Sequence, residues 1–428
     1  MNRLSRWLIT AAITAGIATP TLTHATNGMF LSGPGTKARG AGGVAIAMPQ
    51  DSIGGAINPA TISFVGTRVD VGADIFLPRA ESELGGLKVK SRADLFLMPS
   101  MGGVYKFNRK VSMGLSMVPL GGGGSRYNTN LYNASSGSNP DVTLGMNMAI
   151  MQMNPTVSYK INKQNSIGAS LIFSIQTFRA FGLEYFETFT QSFADGDPVT
   201  HLTNNGNDWS YGAGARLGWM GNYLDKKLSL GAAYSSRVYM TEFDKYTDLF
   251  AEQGDLDTPA NIGLGISYKF TPELTIGFDV MRYFYSDIAS IGNASATTGP
   301  GSIYPNADEK HRLGNDDGLG FGWSDQTVYK IAAIYEFNPQ WTFRTGWNYG
   351  ESPIDESNGE VLMSIMAPAT TQNHLTLGTT YSPSKNMELS FSYVHAFEFK
   401  QDGPTFIGNT GEIGMYQDSF GFSFGYKL

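Results

Sequence analysis

The chain has 428 residues, a net charge of −7, 52 glycines, 12% aromatic residues and no cysteine. The acidic balance leaves no electrostatic footprint for nucleic acid, and the missing cysteines exclude disulfides and thiolate metal sites. Abundant glycine and aromatics with only 16% charged residues suit one large all-β domain better than the two or three domains that length alone permits.

Residues 1–25 have the pattern of an export signal. Arg3 and Arg6 supply a positive start, residues 7–18 an apolar run too short to span a bilayer, Pro20 a break, and Thr23-His24-Ala25 a small-residue cleavage site. No later run reaches the roughly 18 apolar residues of a membrane helix. Residues 26–66 are rich in glycine and alanine. They are too glycine-rich for a stable helix and lack the alternation of a strand, so the expectation is a compact plug, or hatch, in the lumen of a barrel built by residues 67–428.

From residue 69 onward, period-2 alternation dominates. Val69, Val71, Ala73, Ile75 and Leu77 share one face, with Asp70, Gly72 and Asp74 on the other. The same pattern returns at 262–270, 328–337 and 341–349, and in the last stretch, where Phe420, Phe422, Phe424, Tyr426 and Leu428 alternate with Ser, Gly and Lys. Charged residues in mid-strand must face water or protein, and the aromatic face must meet lipid or a core. Six short turns (near 108–110, 162–164, 222–226, 271–272, 338–340 and 382–386) interleave with seven long connections (79–91, 121–146, 182–208, 244–258, 288–322, 351–370 and 400–411). That arrangement predicts a transmembrane antiparallel β-barrel of about 14 strands, with both termini on the short-turn side, in a bacterial outer membrane.

Two long connections break the alternation. Leu183, Phe186, Phe189 and Phe193 recur at helical spacing, as do Phe243, Tyr246 and Phe250. Two short amphipathic helices outside the membrane would make an apolar groove for a greasy solute; the bland alternative is that these faces pack on each other and on the loop bases. In the third strand, Pro119 is followed by Leu120 and four glycines that include Gly121 and Gly122, which marks either a bulge and lost pairing or the strand end. Lys330, Arg344 and Arg216 fall on the lumen face by alternation, and Arg179 is ambiguous.

Taken together, these features resemble the FadL/TodX family of outer-membrane transporters for long-chain fatty acids and aromatic hydrocarbons. The resemblance is carried by Ser32-Gly33, by Arg39-Gly40-Ala41-Gly42-Gly43-Val44-Ala45, by Asn58-Pro59-Ala60, which is similar to the family's hatch motif, by residues 338–353, and by 375–381 with the hairpin that follows. The resemblance implies passive uptake of a hydrophobic small molecule by a monomer in contact with outer-membrane lipid. Solute would adsorb between the two loops (Leu183, Phe186, Phe189, Phe193, Phe243, Tyr246, Phe250) and pass to an apolar pocket above the hatch. A shift at the hatch's free end (Asn27, Gly28, Phe30), with Asn58, Pro59 and Ala60 as anchor, would release it sideways through the wall at Pro119, Gly121 and Gly122. A fatty-acid carboxylate would need a cation, with Lys330 and Arg344 as candidates.

No serine is placed beside His201, His311, His374 or His395, so neither an enzyme, a metal nor a cofactor is expected. The rival reading is a surface receptor or adhesin barrel without dedicated transport.

Overall fold

The computed structural model describes residues 27–295, 309–356, 359–405 and 408–428. The export signal expected at 1–25, Thr26, and part of the 288–322 connection lie outside the described residues.

Fourteen strands form the wall: β1 Arg68–Leu84, β2 Phe96–Lys106, β3 Val111–Tyr127, β4 Leu144–Lys160, β5 Asn165–Phe181, β6 Asp208–Tyr223 and β7 Leu228–Ser235. They continue as β8 Asn261–Lys269, β9 Leu274–Tyr283, β10 Gln326–Glu336, β11 Trp341–Gly350, β12 Asn373–Tyr381, β13 Met387–Pro404 and β14 Thr410–Lys427. Each pairs antiparallel with the next, and β14 returns to β1 from Arg68 opposite Lys427 to Leu84 opposite Gly411, so the sheet has no edge. Two short ladders sit outside the wall: Leu87–Lys90 folds back on β1, and Tyr239–Met240 pairs with β6. Three connections are therefore shorter than the sequence suggests. β1 runs on to Leu84, β3 to Tyr127 and β13 to Pro404, because strands that leave the membrane keep pairing beyond it.

The barrel is apolar outside and polar inside. Leu97, Leu115, Leu171, Leu217, Leu264, Ile331, Leu377 and Phe422 are exposed, while Asp70, Asp74, Asn154, Gln176, Arg216, Asp279, Lys330 and Asn348 are buried. Among the described residues, no helix is long and apolar enough to cross a membrane; here the strands cross.

Residues 27–66 lie inside the barrel and are almost entirely buried. They form a short helix, α1 Gly35–Arg39, and two 3-10 turns, Ile53–Ala56 and Pro59–Ser63. The wall holds them by charge. Lys37 Nζ meets Glu388 at 2.5 Å, Arg39 meets Asp74 at 2.9 Å, and Arg68 links Asp70 (2.6 Å) to Glu388 (2.7 Å). Asp279 accepts from the Ala45 and Ile46 amides at 2.8 and 3.0 Å, and Asp70 from the amide and hydroxyl of Ser52 at 2.9 and 2.5 Å. Such pairs are a weak source of net stability, but removing one partner strands a buried charge at a cost of about 3–5 kcal/mol. They fix position.

Asn58, Pro59 and Ala60 form a second anchor. The Asn58 side chain donates to the carbonyls of Ile46 (2.7 Å) and Trp219 (3.0 Å) and accepts from Ala60 N at 3.0 Å, capping the turn that Pro59 starts. The wall opposite is glycine because nothing larger fits: a methyl group at Gly168 would lie 2.7 Å from Ala60 N, and one at Gly218 would lie 2.8 Å from Pro59 Cδ.

Candidate functional site: an apolar cavity beside an interrupted strand

β3 pairs with β2 only along residues 112–117, opposite 101–106. Above Met117 it has lost that neighbour, while residues 96–100 of β2 remain paired with β1. Pro119 offers no N–H, and on the β4 side the ladder skips one residue between Pro119 and Gly121. The bulge bends β3 away from β2. At the top the slot is closed again by Arg92 N donating to Arg126 O (2.8 Å) and Arg126 N to Ser91 Oγ (3.1 Å). Of the two possibilities in the sequence, the structure has the bulge with lost pairing.

The start of the N-terminal segment takes up the orphaned backbone. Leu31 N donates to Leu120 O at 3.1 Å, Gly122 N to Met29 O at 3.2 Å, and Phe30 lies opposite Gly121. Gly121 must be glycine, since a Cβ there would collide with Met29 O. Residues 27–30 are closed into a turn by Asn27 N to Phe30 O (2.9 Å) and Phe30 N to Asn27 O (3.1 Å). Tyr285 staples it, donating to Asn27 O at 2.5 Å and accepting from Met29 N at 3.2 Å, and the Phe30 ring stacks on Tyr283 with centroids 4.5 Å apart. Asn27, Gly28 and Phe30 thus form a latch held by neutral bonds and ring contacts, whereas the rest of the segment is held by charge.

On the loop side of the latch lies an apolar cavity. Gly28 and Met29 form its floor. Phe76, Gly122, Gly123, Gly124, Met146, Met148 and Phe178 line its walls, and Phe250, Leu256, Ile291, Phe321, Trp323, Ala367, Pro368 and Ala369 its upper parts. Among the described residues, no charged side chain lines it, so it suits an apolar molecule.

The aromatic loop residues do not make an open groove. Leu183, Phe186, Phe189, Phe243, Tyr246 and Phe250 are all buried; of the seven only Phe193 is exposed, at 52%. Phe178 of β5 meets Tyr246 edge-on at 4.8 Å and Phe250 at 4.7 Å, and Phe186 meets Tyr132 at 4.8 Å. The expected helices are also shorter. The first is a 3-10 turn, Glu184–Phe189, and one helical turn, Gln191–Asp195; in the second loop, Glu252 and Gln253 take left-handed φ near 53°. The physical reason is cover. Two short amphipathic segments cannot bury both faces alone, and residues 361–369 of a later connection pack in one cluster with them. Phe250 alone of the seven reaches the cavity.

Nothing in the sequence reading singled out that cover. Tyr127 and Tyr132 hold it by donating to Ile365 O (3.1 Å) and Leu362 O (2.8 Å), with Ser125 Oγ donating to Met366 O at 2.7 Å. The signal was present in Val361-Leu362-Met363-Ser364-Ile365-Met366, an apolar run inside an otherwise polar connection. Tyr283 and Tyr285, which secure the latch, carry no sequence signature.

Glu360 starts this cover. It is buried and accepts from Asp355 N at 3.0 Å. Burial pushes its carboxyl up from 4.5 to about 7; the Asp355 N–H opposes the shift and the Asp355 charge adds to it. The folded loop therefore holds the proton more tightly than the unfolded one, and its stability falls as pH rises from about 4.5 through about 7. Amide exchange at residues 361–366, corrected for intrinsic rates, is expected to show protection falling over that window, and Glu360→Gln to remove the pH dependence. Constant protection in the parent protein would contradict the assignment.

The lumen cations face inward but not toward the cavity. Lys330 Nζ donates to Ser32 O at 2.8 Å, so it holds the N-terminal segment. Arg344 donates to Gln50 Oε1 (2.7 Å) and Thr380 Oγ1 (2.8 Å) and borders a polar space near the short-turn end, with Lys37, Lys269 and Glu388. Neither lines the apolar cavity. Arg179 stacks over Phe181.

Residues 8–403 match the model of a family described as outer membrane protein transport protein (OMPP1/FadL/TodX). The chain belongs to this family. A long-chain fatty acid transport protein of Escherichia coli O157:H7 is 22% identical over 416 residues, covering 86% of this chain and 87% of its own. Among solved structures, the Pseudomonas putida toluene transporter TodX superposes with a TM-score of 0.69 at 17% identity, over 93% of this chain and 99% of its own. A Pseudomonas aeruginosa FadL homologue does so at 0.66 and 15%, over 94% and 99%. The FadL/TodX chain described here is thus an outer-membrane transport barrel, and its 14 strands and closure are the fold of those neighbours.

Proposed function

We propose that this FadL/TodX barrel takes up hydrophobic small molecules passively and delivers them sideways into the bilayer. Residues 1–25 direct export and are removed, 26–66 act as the hatch, and 67–428 form a monomeric barrel bathed in outer-membrane lipid. Solute passes the outer loops by way of Phe250 and settles in the apolar cavity. Withdrawal of the 27–31 latch then uncovers the slot between β2 and β3, and the solute leaves at Pro119, Gly121 and Gly122. The charge-held remainder of the hatch, anchored at Asn58, Pro59 and Ala60, stays in place.

The observation that carries this reading is the continuity of three features: a cavity with no charged side chain among the described residues in its lining, a floor made by the latch, and a latch that bonds the β3 backbone where β2 has left it. Energetics favour the route. An alkyl chain gains about 0.8 kcal/mol per CH₂ by staying out of water, so a path from cavity to bilayer avoids a penalty that an aqueous lumen would impose. The names of the relatives point the same way, covering fatty acids in one and toluene in another.

Cells lacking their own transporter and carrying this chain are expected to accumulate labelled toluene and hexadecane faster than cells carrying an empty vector. A folded barrel with no uptake of toluene, hexadecane or oleate would overturn the proposal and favour a receptor or adhesin.

A further inference from the structure

The latch divides two cavities. Gly28 and Met29 face the first, apolar one; Phe30 and Leu31 face a second on the side of the short turns. Val118, Pro119 and Leu120 of the slot line this second cavity, as do Gln152, Met281 and Tyr283. Among the described residues, Arg216 is the one charged side chain in its lining.

Arg216 is 4% exposed, and its partners are neutral. It donates to Asn154 Oδ1 at 3.2 Å and Gln152 Oε1 at 3.4 Å, both long, and forms no ion pair among the described residues. Lys37, Arg39 and Arg68 each meet a carboxylate; Lys330 and Arg344 bond neutral groups as Arg216 does, but theirs include atoms of the N-terminal segment, Ser32 O and Gln50 Oε1. Among the described residues, Asn154 Nδ2 nearby is buried with no partner, and the buried Tyr283 hydroxyl donates to the Met281 sulfur at 3.5 Å, a weak acceptor. A buried cation without a counter-charge is costly, and hydrogen bonds to neutral amides compensate it poorly.

We propose that this second cavity is a carboxylate site. Arg216 takes the head of an anionic amphiphile, with the Tyr283 hydroxyl as a second donor, while the apolar tail lies along Val118, Pro119 and Leu120. Arg216 donors not used by Gln152 and Asn154 supply the charge-assisted bonds. The inference rests on the transport reading and divides it by chemistry: neutral solutes are held above the latch, and carboxylates engage a cation only after passing it. Neither Lys330 nor Arg344 is then the carboxylate reader, since both are spent on the hatch and wall.

The test is binding of oleate and of its neutral methyl ester to the purified protein, for the parent, Arg216→Gln, Arg216→Lys and Tyr283→Phe. Loss of a charge-assisted bond is expected to weaken oleate binding about 10-fold or more in Arg216→Gln. Methyl oleate should bind unchanged, Lys should restore part of the loss, and Tyr283→Phe should show a smaller loss with the Phe30 stack retained. Equal effects on acid and ester, or none on the acid, would overturn the site. Should Arg216→Gln fail to fold, Arg216→Lys and Tyr283→Phe decide by the same acid-against-ester ratio. If the folded parent transports none of toluene, hexadecane and oleate, the transport reading itself fails; if toluene or hexadecane transport persists while oleate binding ignores Arg216, only this inference fails.

Discussion

Serine at both Phe186 and Phe250 is expected to open the outer loops, not merely to weaken capture. Both rings are buried, Phe186 against Tyr132 at 4.8 Å and Phe250 against Phe178 at 4.7 Å. Truncating a buried phenylalanine costs about 3–5 kcal/mol, and each serine also brings a hydroxyl to a site that offers it little. The wall strands pair along their own ladders and do not depend on this cluster, so the barrel should still assemble. Protease added to intact cells is expected to cut within the 182–207 and 241–258 connections of the double variant, and uptake should fall at all solute concentrations. Protease-resistant loops with a defect confined to low solute concentration would mean that the rings serve an exposed capture groove after all.

A disulfide across the latch should stop transport reversibly. Leu31 and Leu120 are the next positions beside the opposed pair Phe30 and Gly121, with Leu31 N bonded to Leu120 O at 3.1 Å, and the chain has no cysteine of its own. Directly opposed strand positions bring Cα atoms within the range a disulfide tolerates. In Leu31→Cys with Leu120→Cys, oxidation is expected to reduce hexadecane uptake to the level of cells without the protein, and reduction to restore it, while each single cysteine variant behaves as the parent. The two Cys side chains are smaller than Leu, so the reduced form leaves the slot at least as open as before. Equal uptake in oxidised and reduced forms would show that the latch need not move.

Much of this was legible in the sequence because a period of two is a strong signal when one face meets lipid. Val69, Val71 and Ile75 point out and Asp70 and Asp74 point in, as the alternation requires. Turn chemistry separated the strands, and Pro119 with its glycines marked the bulge. Alternation assigns a face but not a height, which is why Lys330 and Arg344 were correctly turned inward yet placed at a pocket they do not reach. The loop aromatics left two readings open for a related reason, and the structure has the one in which their faces pack on each other and on the loop bases. Periodicity shows that a segment has an apolar face and says nothing of what covers it; here the cover, 361–366, comes from a connection far along the chain. Arg216 was visible as an inward cation, but its lack of a carboxylate could be seen only once β4, β6 and β9 were side by side.

The central claim is that solute crosses without an aqueous path. It is tested most directly by recording ionic current and hexadecane transfer on the same reconstituted membranes. A sideways route predicts hexadecane transfer that depends on the protein, with no accompanying rise in conductance. Transfer that rises in proportion to ionic current would place the path through a water-filled lumen and contradict it.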